Sequence, residues 1–158
     1  MDIVFTEATK EDIEDLIKLR IAYMIDDFGK VSDSEKECMQ KQLADYFNRK
    51  LGDELIVFTA RDGGKIVAVV YLHIIEMPAS LAALKGLYGE VLNVYTEPAY
   101  RRRGLCTALM KKLLDYGKKI GLDRIDLSAT EKGYPLYVKI GFAEKEQRYT
   151  DMRYKYKS

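Results

Sequence analysis

The sequence predicts an α/β fold: one domain with a central sheet of about seven strands and four helices, in the order βααβββαβαββ. Two observations carry this expectation. The first is the alternation, along the whole chain, of apolar runs with strand period and apolar runs with helix period. The second is residues 91–110, VLNVYTEPAYRRRGLCTALM, where one period gives way to the other across a proline. At 158 residues the chain is long enough for a real core.

Residues 2–7 alternate around Ile3 and Phe5 and read as a first, edge-like strand. Thr9 with Asp12 three residues later has the form of a capping box. The helix that follows places Ile13, Leu16, Ile17, Arg20 and Met24 on one side and ends near Asp26-Asp27-Phe28-Gly29. Ser32 or Ser34 caps a second helix, which carries Met39, Leu43, Phe47 and Leu51 on one face and stops at Gly52. Residues 55–60 form a strand, Asp62-Gly63-Gly64 turns the chain, and residues 66–75 return as a longer strand. The run Val67-Ala68-Val69-Val70 gives that strand a central, buried position. His73, the single histidine, lies on it. A catalytic imidazole needs an orienting partner, none is visible in the sequence, and a structural role is expected.

Residues 77–89 form a long connection, with a short helical turn expected at residues 80–84. Residues 91–96 are apolar and β-branched, as a buried strand should be, and residues 97–100 break it. Leu105, Leu109, Leu113, Tyr116 and Ile120 then recur at helical spacing, and Gly121 closes that helix. Residues 125–128 read as another buried strand. Residues 129–141 hold a short helix ended by Gly141, and Phe142 begins a strand. Residues 149–155 alternate and read as a last strand paired with it.

Charge and composition narrow the function. The net charge is +1, and basic residues gather only at Arg101-Arg102-Arg103, which disfavours a nucleic-acid binder. No run reaches membrane-spanning length, the N-terminus lacks a signal-peptide pattern, and no membrane partner is expected. Cys38 and Cys106 lie far apart and make no metal motif, so no metal is expected and a reducing cytoplasm is the simplest home.

The arginine loop is where the chemistry concentrates. It lies between a strand and a helix N-terminus, whose unpaired N–H groups and positive dipole end attract anions. Gly104 lets another molecule approach the backbone, and a pyrophosphate is the natural guest. A solvated basic turn is the plainer alternative. The loop lacks G-x-x-x-x-G-K-[ST], and no G-x-G-x-x-G follows the first strand. It resembles the acetyl-CoA loop of the GNAT superfamily of N-acetyltransferases, [RQ]-x-x-G-x-[GA], with Arg101, Arg102, Arg103, Gly104 and Leu105 fitting and Cys106 where Gly or Ala is usual. Leu136-Tyr137 followed by Gly141-Phe142 resembles the second signature of that family, as do Ala129-Thr130 and Gly133.

The resemblance implies a mixed, mostly antiparallel sheet and transfer of an acetyl group from acetyl-CoA to a primary amine of a small molecule or peptide. It implies that the strand ending at Thr96 splays from its neighbour. Val94 and Thr96, with Tyr95 between, would offer backbone groups to the pantetheine arm, and an N–H near Asn93 would face the thioester oxygen. Arg101, Arg102, Arg103, Gly104, Leu105, Cys106 and Thr107 would hold the pyrophosphate, and Thr130 would also belong to the cofactor side. Tyr137 matches the family tyrosine that protonates the departing thiolate; packing against the cofactor is its alternative role. The base stays open. Glu90 is the nearest carboxylate, although strand parity sets it opposite Asn93 unless a bulge intervenes. Asp26, Asp27, Glu76 and a water chain are the other options. Acidic Asp26-Asp27 favours a cationic acceptor, and family analogy implies a homodimer built on residues 77–89 or on the last strands. The alternative function is a CoA-binding regulatory or interaction module whose chemistry has lapsed.

Overall fold

In the computed structural model, which describes residues 2–158, a two-residue turn sets the register of the sheet. Gly63 and Gly64 both take positive φ, 59° and 88°, as a type I′ hairpin requires. The turn joins β2 (Leu55–Asp62) to β3 (Lys65–Glu76). β1 (Ile3–Glu7) pairs with β2 at the sheet edge, and β4 (Leu87–Thr96) pairs with β3, all antiparallel. β5 (Ile125–Asp126) pairs parallel with β4 through two residues. The order is β1-β2-β3-β4-β5, so the apolar strand β3 is central, as its composition requires.

The chain divides into two compact units, Met1–Ser128 and Ala129–Ser158. In the first, helices cover both faces of the sheet. α1 (Ile13–Phe28) and α2 (Asp33–Lys50) bury Leu16, Leu19, Leu43 and Phe47 against Leu55, Val57, Val69, Tyr71 and Tyr95. Full burial of each such side chain contributes about 1.5–3 kcal/mol. Ser32 caps α2: its Oγ accepts from the Glu35 N–H at 3.2 Å, and Glu35 Oε1 accepts from the Ser32 N–H at 2.9 Å. α3 (Leu105–Lys119) covers the other face with Leu109, Met110 and Leu113, and Tyr116 meets Phe58 edge-on. Glycines make room on this face. Within the sheet, a Cβ on Gly89 would lie 2.6 Å from Leu72 Cδ1 of the neighbouring strand, and where α3 meets β5 one on Gly117 would lie 2.7 Å from Ile125 Cδ1.

The second unit contains α4 (Tyr134–Lys139), closed by Gly141 at φ 112°. The Phe142 N–H then returns to the Tyr137 carbonyl at 2.9 Å.

Some expectations are corrected. Among the described residues the sheet has five strands rather than about seven, because residues 142–158 form no ladder. Their alternation is genuine, but Tyr149, Met152, Tyr154 and Tyr156 are all at least 77% exposed. An isolated hairpin with no buried face is marginal in water. The strand expected at residues 125–128 shortens to Ile125–Asp126, and β4 begins at Leu87 rather than Val91. Instead of a helical turn at residues 80–84, Ser80 and Ala83 exchange backbone hydrogen bonds at 3.0 and 3.1 Å.

Candidate active site

A defect in β4 organises the first unit's polar groups. Val69 pairs with Tyr95 and Tyr71 with Leu92, so Asn93 and Val94 together oppose Val70 alone. This is a β-bulge. Asn93 takes φ 45°, a left-handed conformation that asparagine tolerates better than most residues. The bulge explains why Leu92 and Tyr95, three positions apart, both pack on the α1–α2 face.

Asn93 is 5% exposed, and its Oδ1 accepts a hydrogen bond from Arg20 Nη1 of α1 at 3.0 Å. Its Nδ2 is buried with no hydrogen-bond partner among the described residues. The same holds for the Oη of Tyr71, across the ladder from Leu92. Burial raises the Tyr71 hydroxyl well above the usual phenol range, and the Arg20 charge opposes that rise.

Glu90 lies two positions before Leu92, so the pleat puts it on the α1–α2 face as well. The bulge intervenes after Glu90 and brings Asn93 to Arg20 on that same side, which removes the parity objection to Glu90. His73 stands directly opposite Glu90, and Asp126 pairs with Glu90 from β5, giving a polar row across three strands. Glu54, held down by its hydrogen bond from Lys50 and by the Lys50 charge, also feels the charge of His73. The neighbours of His73 that the sequence does not reveal are therefore Glu90 and Glu54.

β5 engages only Gly89 and Glu90. Beyond them, no strand among the described residues pairs with the β5 side of residues 91–96. Val94, Tyr95 and Thr96 thus lie on an edge that no described strand occupies, with only the Thr96 carbonyl taken, by Arg101 Nε, and an extended guest can join there as an extra strand.

The arginine loop follows directly. A 3-10 turn at Pro98–Tyr100 is fixed by the Tyr100 hydroxyl, which donates to Asp62 Oδ2 at 2.6 Å. Arg101 folds back: its Nε donates to the Thr96 carbonyl at 2.8 Å and its Nη2 to Asp26 Oδ2 at 3.2 Å. Its guanidinium also sits 5.6 Å from the Tyr95 ring centre. Arg101 therefore braces the loop, and it answers the Asp26 charge that suggested a cationic acceptor. Arg103 lies over Tyr100 at 5.4 Å, and Arg102 is exposed with φ 63°.

Gly104 is the N-cap of α3 at φ 76°, with no side-chain cap. A Cβ there would meet nothing within 4 Å. The first-turn N–H groups, from Leu105, Cys106 and Thr107, accordingly have an open approach and no intrahelical acceptor. Burial pushes the Cys106 thiol up to about 11, so it acts as a small neutral side chain and departs little from Gly or Ala. The loop fits a pyrophosphate on these grounds. Among the described residues no group of acidic, histidine or cysteine side chains could hold a metal ion.

In the second unit, Thr130, Gly133, Tyr137 and Phe142 form one cluster. Thr130 Oγ1 accepts from the Gly133 N–H at 3.1 Å. A Cβ on Gly133 would lie 2.9 Å from Tyr137 Cε2 and 3.2 Å from Thr130 Oγ1. The Tyr137 ring is 9% exposed and meets Phe142 edge-on at 6.0 Å. Asp27 and Glu76 are exposed. Arg20 and Tyr71 are the polar residues that sequence reasoning missed. The available signal was an arginine on an otherwise apolar helical stripe.

Comparison with known proteins places this geometry. Residues 15–142 match the Acetyltransferase (GNAT) family. A glucosamine 6-phosphate N-acetyltransferase of Trypanosoma brucei brucei is 30% identical over 100 residues, which is 63% of this chain and 66% of that relative, just under two thirds of its length. A predicted acetyltransferase of Clostridium acetobutylicum, solved with acetyl-CoA, is 27% identical with a TM-score of 0.84 over 96% of both chains. A GCN5-related N-acetyltransferase of Ralstonia eutropha JMP134 is 25% identical with a TM-score of 0.79, over 96% of this chain and 99% of that one.

Proposed function

This chain belongs to the acetyltransferase (GNAT) family, and on that footing we propose that it transfers an acetyl group from acetyl-CoA to a primary amine of a small molecule or peptide. The observation that carries this reading is a bulged β4 with an open outer edge, followed immediately by an uncapped helix N-terminus at Gly104. An extended arm suits the first feature and a pyrophosphate the second. Likeness to an acetyltransferase solved with acetyl-CoA supports the donor. Likeness to a glucosamine 6-phosphate N-acetyltransferase supports a small-molecule amine as acceptor.

Acetyl-CoA supplies the acetyl group in activated form, as a thioester. The amine nitrogen attacks the carbonyl carbon with its lone pair, the C–N bond forms, and the C–S bond breaks. Backbone N–H groups near Asn93 and Val94 receive the charge that grows on the carbonyl oxygen. Val94, Tyr95 and Thr96 hold the arm along the open edge, and residues 101–107 hold the pyrophosphate, with Arg101 as the brace. Tyr137, by its match to the family tyrosine, is the residue proposed to give its hydroxyl proton to the departing thiolate, and Gly133 packs against its ring. Glu90 takes the proton that the amine must lose, and His73 lies beside it for onward transfer. Solvent returns a proton to Tyr137, so the step balances.

The reading includes a cytoplasmic home, supported by two free thiols at Cys38 and Cys106. No helix among the described residues is long and apolar enough to cross a membrane. It also includes a homodimer, supported by the exposed Met77, Leu81 and Leu84 of the β3–β4 connection. Release of free thiol from acetyl-CoA across a panel of amines tests the activity. Tyr137→Phe should lower kcat by about 10²-fold, within the usual range for a general acid, and leave acetyl-CoA affinity unchanged. Wild-type protein that binds acetyl-CoA but releases thiol with no amine would favour a binding module instead.

A further inference from the structure

Arg20 is the feature that the proposed chemistry leaves unexplained. It projects from the apolar stripe of α1, is partly buried, and makes no ion pair among the described residues. A half-buried guanidinium without a counter-charge is costly unless something else supplies one. Its contacts are the Asn93 Oδ1 at 3.0 Å and the Tyr23 ring at 5.7 Å. These leave further N–H donors unused.

Two more unused polar groups lie beside it. Asn93 Nδ2 carries two N–H donors, and Tyr71 Oη can donate one more. Both side chains are at least 95% buried, Asn93 at 5% and Tyr71 at 3% exposure. Leaving such a group unmade costs about 1–3 kcal/mol. Both sit at the bulge, on the face that α1 and α2 cover, where acyl transfer is assigned. Asp26, the acidic neighbour on α1, is tied to Arg101 and not to Arg20. One cation and two orphaned groups that can donate thus converge on one place.

We propose that the acceptor amine also carries an oxyanion, a carboxylate or a phosphate, and that Arg20, Asn93 and Tyr71 receive it. The inference rests on the acetyltransferase reading. It reverses the cationic preference that Asp26-Asp27 alone suggested. A bidentate arginine contact with an oxyanion is among the stronger polar contacts available, and Asn93 keeps the guanidinium oriented for it.

Two measurements test it, and they fail separately. The first is turnover, followed by free-thiol release, with matched amines: β-alanine, O-phosphoethanolamine, ethanolamine and putrescine. The oxyanion-bearing amines should exceed the neutral and cationic ones at least tenfold in kcat/KM, and the better of the two identifies carboxylate or phosphate. Arg20→Gln should bring that preference to within about twofold of one while acetyl-CoA affinity stays unchanged. Tyr71→Phe, which keeps the packed ring, should lower it severalfold. Equal or better turnover of putrescine, or a preference that survives Arg20→Gln, overturns the proposal.

The second measurement needs no turnover. The Asn93 side-chain amide resonance is followed while acetate or inorganic phosphate is added. A saturable shift in the wild type that Arg20→Gln abolishes supports the oxyanion site; no shift overturns it. A saturable shift without turnover of any amine sinks the acetyltransferase reading and leaves the oxyanion site standing. Turnover of neutral amines without a shift does the reverse.

Discussion

Gly133→Ala tests Tyr137 through packing alone. Gly133 has φ −83° and ψ −20°, so alanine suits the backbone and no conformational strain arises. The added methyl would stand 2.9 Å from Tyr137 Cε2, against about 3.5 Å or more for a relaxed carbon contact. The ring must therefore give by about 0.6 Å, and Phe142 packs against that ring. Overpacking of this kind costs about 1–3 kcal/mol. For a chain of this length that lowers Tm by about 2–4 °C per kcal/mol. A misplacement of 1 Å can cost about 10²-fold in rate, so about 0.6 Å should lower kcat about tenfold. The assay is steady-state thiol release, with thermal melts and acetyl-CoA titration alongside. A folded alanine variant with wild-type kcat, or one altered only in KM for acetyl-CoA, would refute the hydroxyl as the proton donor.

Three further outcomes are expected. Glu90→Gln should reduce kcat about 10²-fold at neutral pH if Glu90 is the base, and an unchanged pH–rate profile would exclude it. Gly89→Ala should destabilise by about 1–3 kcal/mol through the 2.6 Å approach to Leu72, and a wild-type urea midpoint would show that β4 and its neighbours are not packed as described. Asp12 gives a pH signature. Burial pushes its carboxyl up, but the Arg61 hydrogen bond at 2.8 Å, the Thr9 N–H and the Arg61 charge together hold it below its ordinary 3.8. Its contribution is therefore present above about pH 4 and lost as pH falls below that value. Asp12→Asn should cost about 1.5–3 kcal/mol at pH 7, the range for a hydrogen bond to a charged group, and the gap between variant and wild type should close as pH falls through the lowered carboxyl value below 3.8. A gap that persists into acid would contradict the ion pair.

The readable parts of the chain were those where one local force dominates. The Gly63-Gly64 hairpin, the Ser32 cap and the stripe of α3 follow from turn chemistry and periodicity, and they sit where the residues put them. The turn between β4 and α3 was readable because a proline, a glycine and the start of a helical period are adjacent in sequence. The bulge at Asn93 was not, because it shows only when Val69 and Tyr71 are matched against β4. The same applies to His73 opposite Glu90 and to Arg20 on Asn93, pairs brought together by the sheet and by α1. Residues 149–155 misled because alternation marks a strand only where one face has something to cover it. Arg101 shows the remaining difficulty: the motif marks it for the cofactor, while its contacts at Thr96 and Asp26 make it a brace.

The most direct test of the central claim is calorimetric titration of the protein with acetyl-CoA, beside an Arg103→Glu/Gly104→Asp double variant. The aspartate meets no neighbour at Gly104, but at φ 76° it carries backbone strain, which aspartate tolerates better than most residues, so a thermal melt accompanies the titration of the variant. Its added negative charges occupy the approach to the α3 N-terminus. Micromolar binding by the wild type that the variant abolishes is the predicted result. Equal binding by both proteins would move the cofactor away from this loop, and no binding by the wild type would contradict the acetyl-CoA reading itself.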